Sequence, residues 1–157
     1  MKKLFARVLA GILIWSVSAG AQQKPSVQIV VEQLGQDATV CGIDRSSIES
    51  ITALTLRNNG IQGGASRSNP YLYIQATVGA TRNLNNNVTG CVAHAVAEMR
   101  FLGPAPKTTF KIRGNKWVET VLCHSGGMDS GPVASMSKQL NDSLEQYVKL
   151  CLGELDY

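Results

Sequence analysis

An α+β two-layer sandwich is the fold class this sequence predicts: a mostly antiparallel sheet of about four strands, two helices packed on it, and two disulfides. Three observations predict it. Residues from Pro70 to Phe101 alternate apolar and polar side chains with the period of half-buried strands. Two stretches, beginning near Ser46 and at Pro132, instead carry apolar residues at helical spacing. Four cysteines, Cys41, Cys91, Cys123 and Cys151, lie 50, 32 and 28 residues apart. That is an even set with neither the close ligand pairs of a zinc site nor a Cys-x-x-Cys redox motif, so it reads as two disulfides.

In chain order, Ser26 to Leu34 (SVQIVVEQL) is rich in β-branched residues and reads as the first strand. The first helix opens at Ser46, with Glu49 completing a capping box, shows Ile48, Ile51 and Leu54 as its apolar stripe, and stops at Asn59-Gly60. A short strand near Ile61 and a flexible Gly63-Gly64-Ala65-Ser66 stretch follow. The strand from Pro70 places Leu72, Ile74, Ala76 and Val78 on one face and Tyr71, Tyr73, Gln75 and Thr77 on the other. After the turn Thr81 to Asn87 comes a second alternating strand. It has Cys91, Ala93, Ala95, Ala97, Met99 and Phe101 inward, and Val92, His94, Val96, Glu98 and Arg100 outward. Small inward residues suit a face that a helix must approach closely. Gly103-Pro104 breaks the strand, a basic loop with Lys107, Lys111 and Arg113 follows, and Lys116 to Cys123 returns as a strand.

A glycine-rich turn from His124 to Gly131 then leads to a helix opened by Pro132, whose stripe is Val133, Met136, Leu140, Leu144, Tyr147 and Cys151. On its polar face Glu145 and Lys149 have the favoured acid-before-base spacing of four. If the strands around Phe101 and Lys116 form a hairpin, Cys91 falls near Cys123 and Cys41 is left for Cys151. That is the expected pairing among three connectivities.

The amino terminus has the pattern of a secretory leader. Lys2 and Lys3 precede an apolar run from Val8 to Val17 and small residues at Ser18-Ala19-Gly20-Ala21. Residues 1–21 are therefore expected to be a signal peptide and residues 22–157 one α+β domain, with no stable membrane insertion once the leader is cleaved. Losing Lys2, Lys3 and Arg7 takes the 15 basic residues to 12 against 11 acidic ones. A near-neutral mature chain with scattered charge argues against nucleic acid as a partner. The expected location is the periplasm or the outside of the cell.

Candidate sites are few. Ser125-Gly126-Gly127-Met128-Asp129-Ser130 resembles the Ser-Gly-Gly-x-Asp-Ser loop of the PP-loop ATP pyrophosphatase family, which cradles a pyrophosphate between a strand and a helix. The resemblance covers six residues. The family's loop stands near the start of a parallel α/β domain, whereas 27 residues follow Ser130 here, and Gly131-Pro132 occupies the helix start. The chain's own pattern therefore makes Ser125, Gly126, Gly127, Asp129 and Ser130 a turn before a helix, with polar-ligand or anion binding as its functional reading. The histidines are His94, which shares an outward face with Glu98, and His124, beside Cys123 and near Asp129. Neither completes an acid, base and nucleophile set. Tyr71, Tyr73 and Gln75 form a candidate aromatic binding patch. No catalytic residue, metal ligand or cofactor is expected.

The element order is loosely similar to the amino-terminal modules of periplasmic assembly and synthase-activator proteins. The expected function is binding to an unidentified protein of the cell envelope, as an accessory or assembly factor or as an inhibitor. The alternative is a small hydrolase or polar-ligand binder using His124 and the Ser125 to Ser130 segment.

Overall fold

The computed structural model describes residues 25–64, 70–104 and 117–155. The expected signal peptide and the basic loop lie outside the described residues. The elements are β1 (Ser26–Val31), α1 (Gln36–Val40), α2 (Arg45–Asn58), β2 (Gln62–Gly64), β3 (Tyr71–Arg82), β4 (Val88–Pro104), β5 (Trp117–Gly131) and α3 (Val133–Gly153). They form an α+β structure whose five-stranded sheet has the order β2-β1-β3-β4-β5.

The sheet is mixed rather than mostly antiparallel, and has one strand more than expected. β3, β4 and β5 form the antiparallel meander that the alternation implied. β1 runs parallel to both β2 and β3. Helices α1 and α2 separate β1 from β2, so the chain returns to the sheet in the same direction, as crossover connections do. The short strand expected near Ile61 is β2; its parallel pairing leaves no signature in a three-residue sequence.

Helix α2 starts two residues earlier than its capping box suggested. Asp44 is the N-cap, its Oδ1 accepting from the Ser47 N–H at 2.8 Å and from the Ser46 hydroxyl at 2.5 Å. Those bonds hold the Asp44 carboxyl below its ordinary value of 3.8. Glu49 pairs with Arg45 at 2.7 Å instead of closing a box. The buried stripe is Ile48, Thr52, Thr55 and Leu56. Leu54, expected inside, is 47% exposed, because Thr55 can turn inward by returning its hydroxyl to the Ile51 carbonyl at 2.8 Å. Gly60 ends the helix at φ 78°, the left-handed position foreseen for it.

The glycine-rich turn is a strand. β5 continues through Ser125, Gly126, Gly127, Asp129 and Ser130 to Gly131, paired with β4 from Val96↔Gly126 to Cys91↔Gly131. Its composition reads as a turn because packing excludes side chains there. A Cβ on Gly126 would stand 2.6 Å from the Ala95 carbonyl oxygen, one on Gly127 would strike the Tyr147 hydroxyl, and one on Gly131 would lie 2.6 Å from Gln139 Oε1. With Ala93, Ala95 and Ala97 fully buried beside them, Gly127 and Gly131 let α3 lie close on β4 and β5. The helix proper begins at Val133 with Pro132 as N-cap, and Ser130 has no capping role. Met136, Leu140, Leu144, Val148, Cys151 and Leu152 form its buried face, while Val133 and Tyr147 are partly buried.

The expected disulfide pairing is wrong. Cys41 bonds Cys91 and Cys123 bonds Cys151, with Cα separations of 6.0 and 5.2 Å. The expectation assumed a short hairpin ending at residue 123. Because β5 runs on, the register partner of Cys123 is Met99 and that of Cys91 is Gly131, eight residues away along the strand. Helix α3 then runs back over β5 and brings Cys151 above Cys123. Both bridges sew a helical segment to the sheet, and no free cysteine remains.

The core lies between the helices and one sheet face: Val27, Val31, Leu72, Ile74, Ala76, Val78 and Met99 meet Ile48, Leu56, Met136, Leu140 and Leu144. Phe101, assigned to this buried row, is 38% exposed. It stands past Arg100, the β4 residue paired with the first residue of β3, in a two-stranded arm where β4 and β5 overhang the sheet. Among the described residues no helix is long and apolar enough to cross a membrane.

Candidate functional site

The face of the sheet turned away from the helices holds the site. Strand register places Val30, Tyr73, Glu98 and His124 in one row across four strands, and Gln28, Tyr71, Arg100 and Val121 in the next. A β-bulge makes the second row. The pairing steps from Met99↔Cys123 to Arg100↔Val121, which leaves Leu122 as the extra residue. Directly opposed side chains on a sheet are close enough to interact.

Arg100 is the hub. Its Nε donates to Glu98 Oε2 at 2.7 Å, a second guanidinium nitrogen lies 2.5 Å from the same oxygen, and a third is 3.6 Å from Glu119 Oε1. The guanidinium carbon sits 3.9 Å above the centre of the Tyr73 ring, a cation–π stack. His124 Nε2 approaches the other oxygen of Glu98 at 3.7 Å. Partial burial and then the nearby Glu32 carboxylate, which also hydrogen-bonds the phenol, hold Tyr73 above its ordinary value of 10.0. The Glu98 and Arg100 side chains are 16% and 23% exposed although, among the described residues, no helix covers them. The ion pairs and the ring stack hold these charges in place before any partner arrives.

Of the residues singled out from sequence, Tyr71, Tyr73 and Gln75 stand half-buried on this face, as their alternation placed them. His94 is also outward and exposed, but the imidazole beside Glu98 is His124, its register partner, not His94. The Ser125 to Ser130 segment does not act as one loop. Gly126 and Ser130 share the outer face with His124, whereas Ser125, Gly127 and Asp129 face α3, where Asp129 Oδ1 accepts from the Ser143 hydroxyl at 2.9 Å. His124 and Ser125 thus project to opposite sides of the sheet, and the geometry assembles no hydroxyl nucleophile with that imidazole. Among the described residues no group of three or more metal-ligating side chains occurs. Sequence reasoning set Glu98 beside His94 and missed its pairing with Arg100. The available signal was an acid and a base two residues apart on the outward side of an alternating strand.

No family model matches the chain, and neither does any curated protein. Among solved structures it is similar to a PelC dodecamer from Paraburkholderia phytofirmans, at 16% identity over 85% of this chain and 90% of that one, with a TM-score of 0.38. It is also similar to the rare lipoprotein B from Shewanella oneidensis, at 12% identity, 80% and 91% coverage and a TM-score of 0.30. A minor lipoprotein from Acinetobacter baumannii matches at 12% identity, 78% and 87% coverage and a TM-score of 0.28.

Proposed function

We propose that this chain is an exported, disulfide-braced binding protein of the cell envelope that holds a protein partner on the outer face of its sheet. The observation that carries the reading is the Tyr73–Arg100–Glu98–His124 cluster, an ordered and partly desolvated charge network on a face that no helix covers among the described residues. Solvated sheet faces need no such order. Tyrosine and arginine are, with tryptophan, the residues enriched among energetic anchors of interfaces, each combining a large contact area with a polar group. Beside the row, Leu102 and Val121 are 47% and 49% exposed and extend the face into the overhanging arm with apolar surface. Aromatic, apolar and paired charged groups together match the composition of a protein-binding patch.

Export is supported by the leader-like amino terminus and by the pairing of all four cysteines, which persists in oxidising compartments. The test is affinity isolation from a periplasmic extract with the mature protein and with Arg100→Glu, both checked for native circular dichroism. The reading expects a discrete partner retained by the first and lost by the second. Equal retention by both would overturn it.

A further inference from the structure

The strand order ends at β5, so β5 is an edge of the sheet. From Cys123 to Gly131, past the bulge at Leu122, it pairs regularly with β4, and its other side carries no strand among the described residues. Gly127 lies ten residues, about 33 Å, along the strand from Trp117, and the twelve residues that join Pro104 to Trp117, about 40 Å of chain in all, are too short to reach it and return. Proteins usually guard such an edge with Lys, Pro or a covering element. Between Val118 and Gly131 there is no Lys, Arg or Pro. The flank of α3 above the edge is also without charge. Asn141 bonds Ser47 of α2, so the opposite flank, where Gln139 and Ser143 stand against β5, faces past the edge, and Gln146 and Leu150 continue it at helical spacing. Two acceptors in this seam, Asp129 Oδ2 and Gln139 Oε1, are buried with no hydrogen-bond partner among the described residues.

We infer that this edge receives a second copy of the chain: two β5 strands pair antiparallel about a two-fold axis through Gly127, joining two five-stranded sheets into one. Side chains select the register. With Gly127 opposite Gly127, Ser125 of each copy falls opposite Asp129 of the other on the helix side, where its hydroxyl can donate to the orphaned Oδ2. On the outer face Met128, 71% exposed, falls opposite Gly126, which has no side chain to oppose it. No like charges are opposed between Cys123 and Gly131. The helices fit the same axis. Because α3 lies over both β4 and β5, its axis stands about one strand spacing, ~4.8 Å, from the two-fold, and the two helices come about 10 Å apart, within the range of packed helices. Tyr147 stands over Gly127, which brings Gln146 and Leu150 to the crossing and covers Leu150, 53% exposed in one copy. An unrelated strand would complete the ladder but not these matches. The interface uses the sheet edge and α3 rather than the Arg100 network, and stands independently of the function proposed for the outer face.

Sedimentation equilibrium of the mature protein across a micromolar concentration series should give twice the mass of one chain. Ser125→Ala removes one hydrogen bond from each half of the interface and should weaken association about thirtyfold. Met128→Asp and Leu150→Glu, at exposed positions that the fold of one copy does not need, should each shift the protein to single chains, with native circular dichroism retained. The register has its own test. Ser125→Cys copies mixed with Asp129→Cys copies should form an intermolecular disulfide under mild oxidation, and neither variant alone should, because each residue stands four positions from its own equivalent. A single-chain mass throughout the series would leave the edge to another protein and overturn the inference. So would a dimer indifferent to both Met128→Asp and Leu150→Glu, or a dimer whose mixed cysteine variants do not crosslink.

Discussion

Glu98 and His124 occupy partnered positions on β4 and β5, and their side chains meet at 3.7 Å on the outer face, on the side of the carboxylate that Arg100 leaves free. One carboxylate is thus shared between a guanidinium on its own strand and an imidazole on the next. The sharing fixes where the guanidinium and the imidazole can point.

Arg100→Ala removes both the stack on Tyr73 and the bond to a half-buried carboxylate. Stability should fall by about 1–3 kcal/mol, the range for a hydrogen bond to a charged group whose partner stays behind. Arg100→Lys keeps the charge but not the planar stack or the forked donors, and should recover part of the loss. Urea denaturation of the three proteins measures the order.

The two glycines at the centre of β5 should differ. Gly126→Ala puts a methyl against the Ala95 backbone carbonyl, which cannot move without breaking the ladder, whereas Gly127→Ala meets the end of the Tyr147 side chain, which can turn aside. Overpacking typically costs about 1–3 kcal/mol. Gly126→Ala should sit at or above the top of that range and Gly127→Ala near or below the bottom, and Tyr147→Phe should erase the second effect. Melting temperatures of the four variants decide it.

Each disulfide should contribute about 2–4 kcal/mol, since the bridges close separations of 50 and 28 residues. Peptide mapping without reduction should recover Cys41 with Cys91 and Cys123 with Cys151. Removing either pair by double Cys→Ala substitution should lower the denaturation midpoint and leave the other bridge intact.

Tyr73 gives a pH dependence with a definite sign. Its folded phenol holds its proton above 10.0, so the unfolded chain ionises first. The stabilisation is complete below pH 10.0 and declines as pH rises from there through the folded value. Above pH 10 the wild type should lose stability faster than Tyr73→Phe, which cannot titrate at that position. Parallel curves would show that partial burial and Glu32 do not act on this phenol.

Where side-chain period reports directly on a face, the sequence was legible. The alternation of β3 and of β4 up to Met99 matches the burial found except at Val96, which is outward yet 6% exposed, as does most of the α3 stripe, with Val148 fully buried in place of Tyr147. Failures came where tertiary packing overrode local composition. Gly126, Gly127 and Gly131 look like a turn because a helix and a neighbouring backbone crowd them, and calling that stretch a turn displaced the register that decides the disulfides. The parallel placement of β1 depends on contacts with β2 and β3, which no local pattern encodes. The tyrosines of the candidate site were visible in the sequence. Arg100 was not, because its role comes from a bulge at Leu122 and a register only the folded sheet supplies.

The account rests on the outer sheet face being the surface that meets a partner. A photoactivatable benzoylphenylalanine placed at Gln75 on that face, and separately at Asp142 on the solvent side of α3, tests this most directly in cells exporting the protein. A discrete crosslinked species is expected from position 75, absent from position 142, and lost from position 75 when Arg100→Glu is added. A crosslink from position 142 alone, or one from position 75 that survives Arg100→Glu, would contradict it.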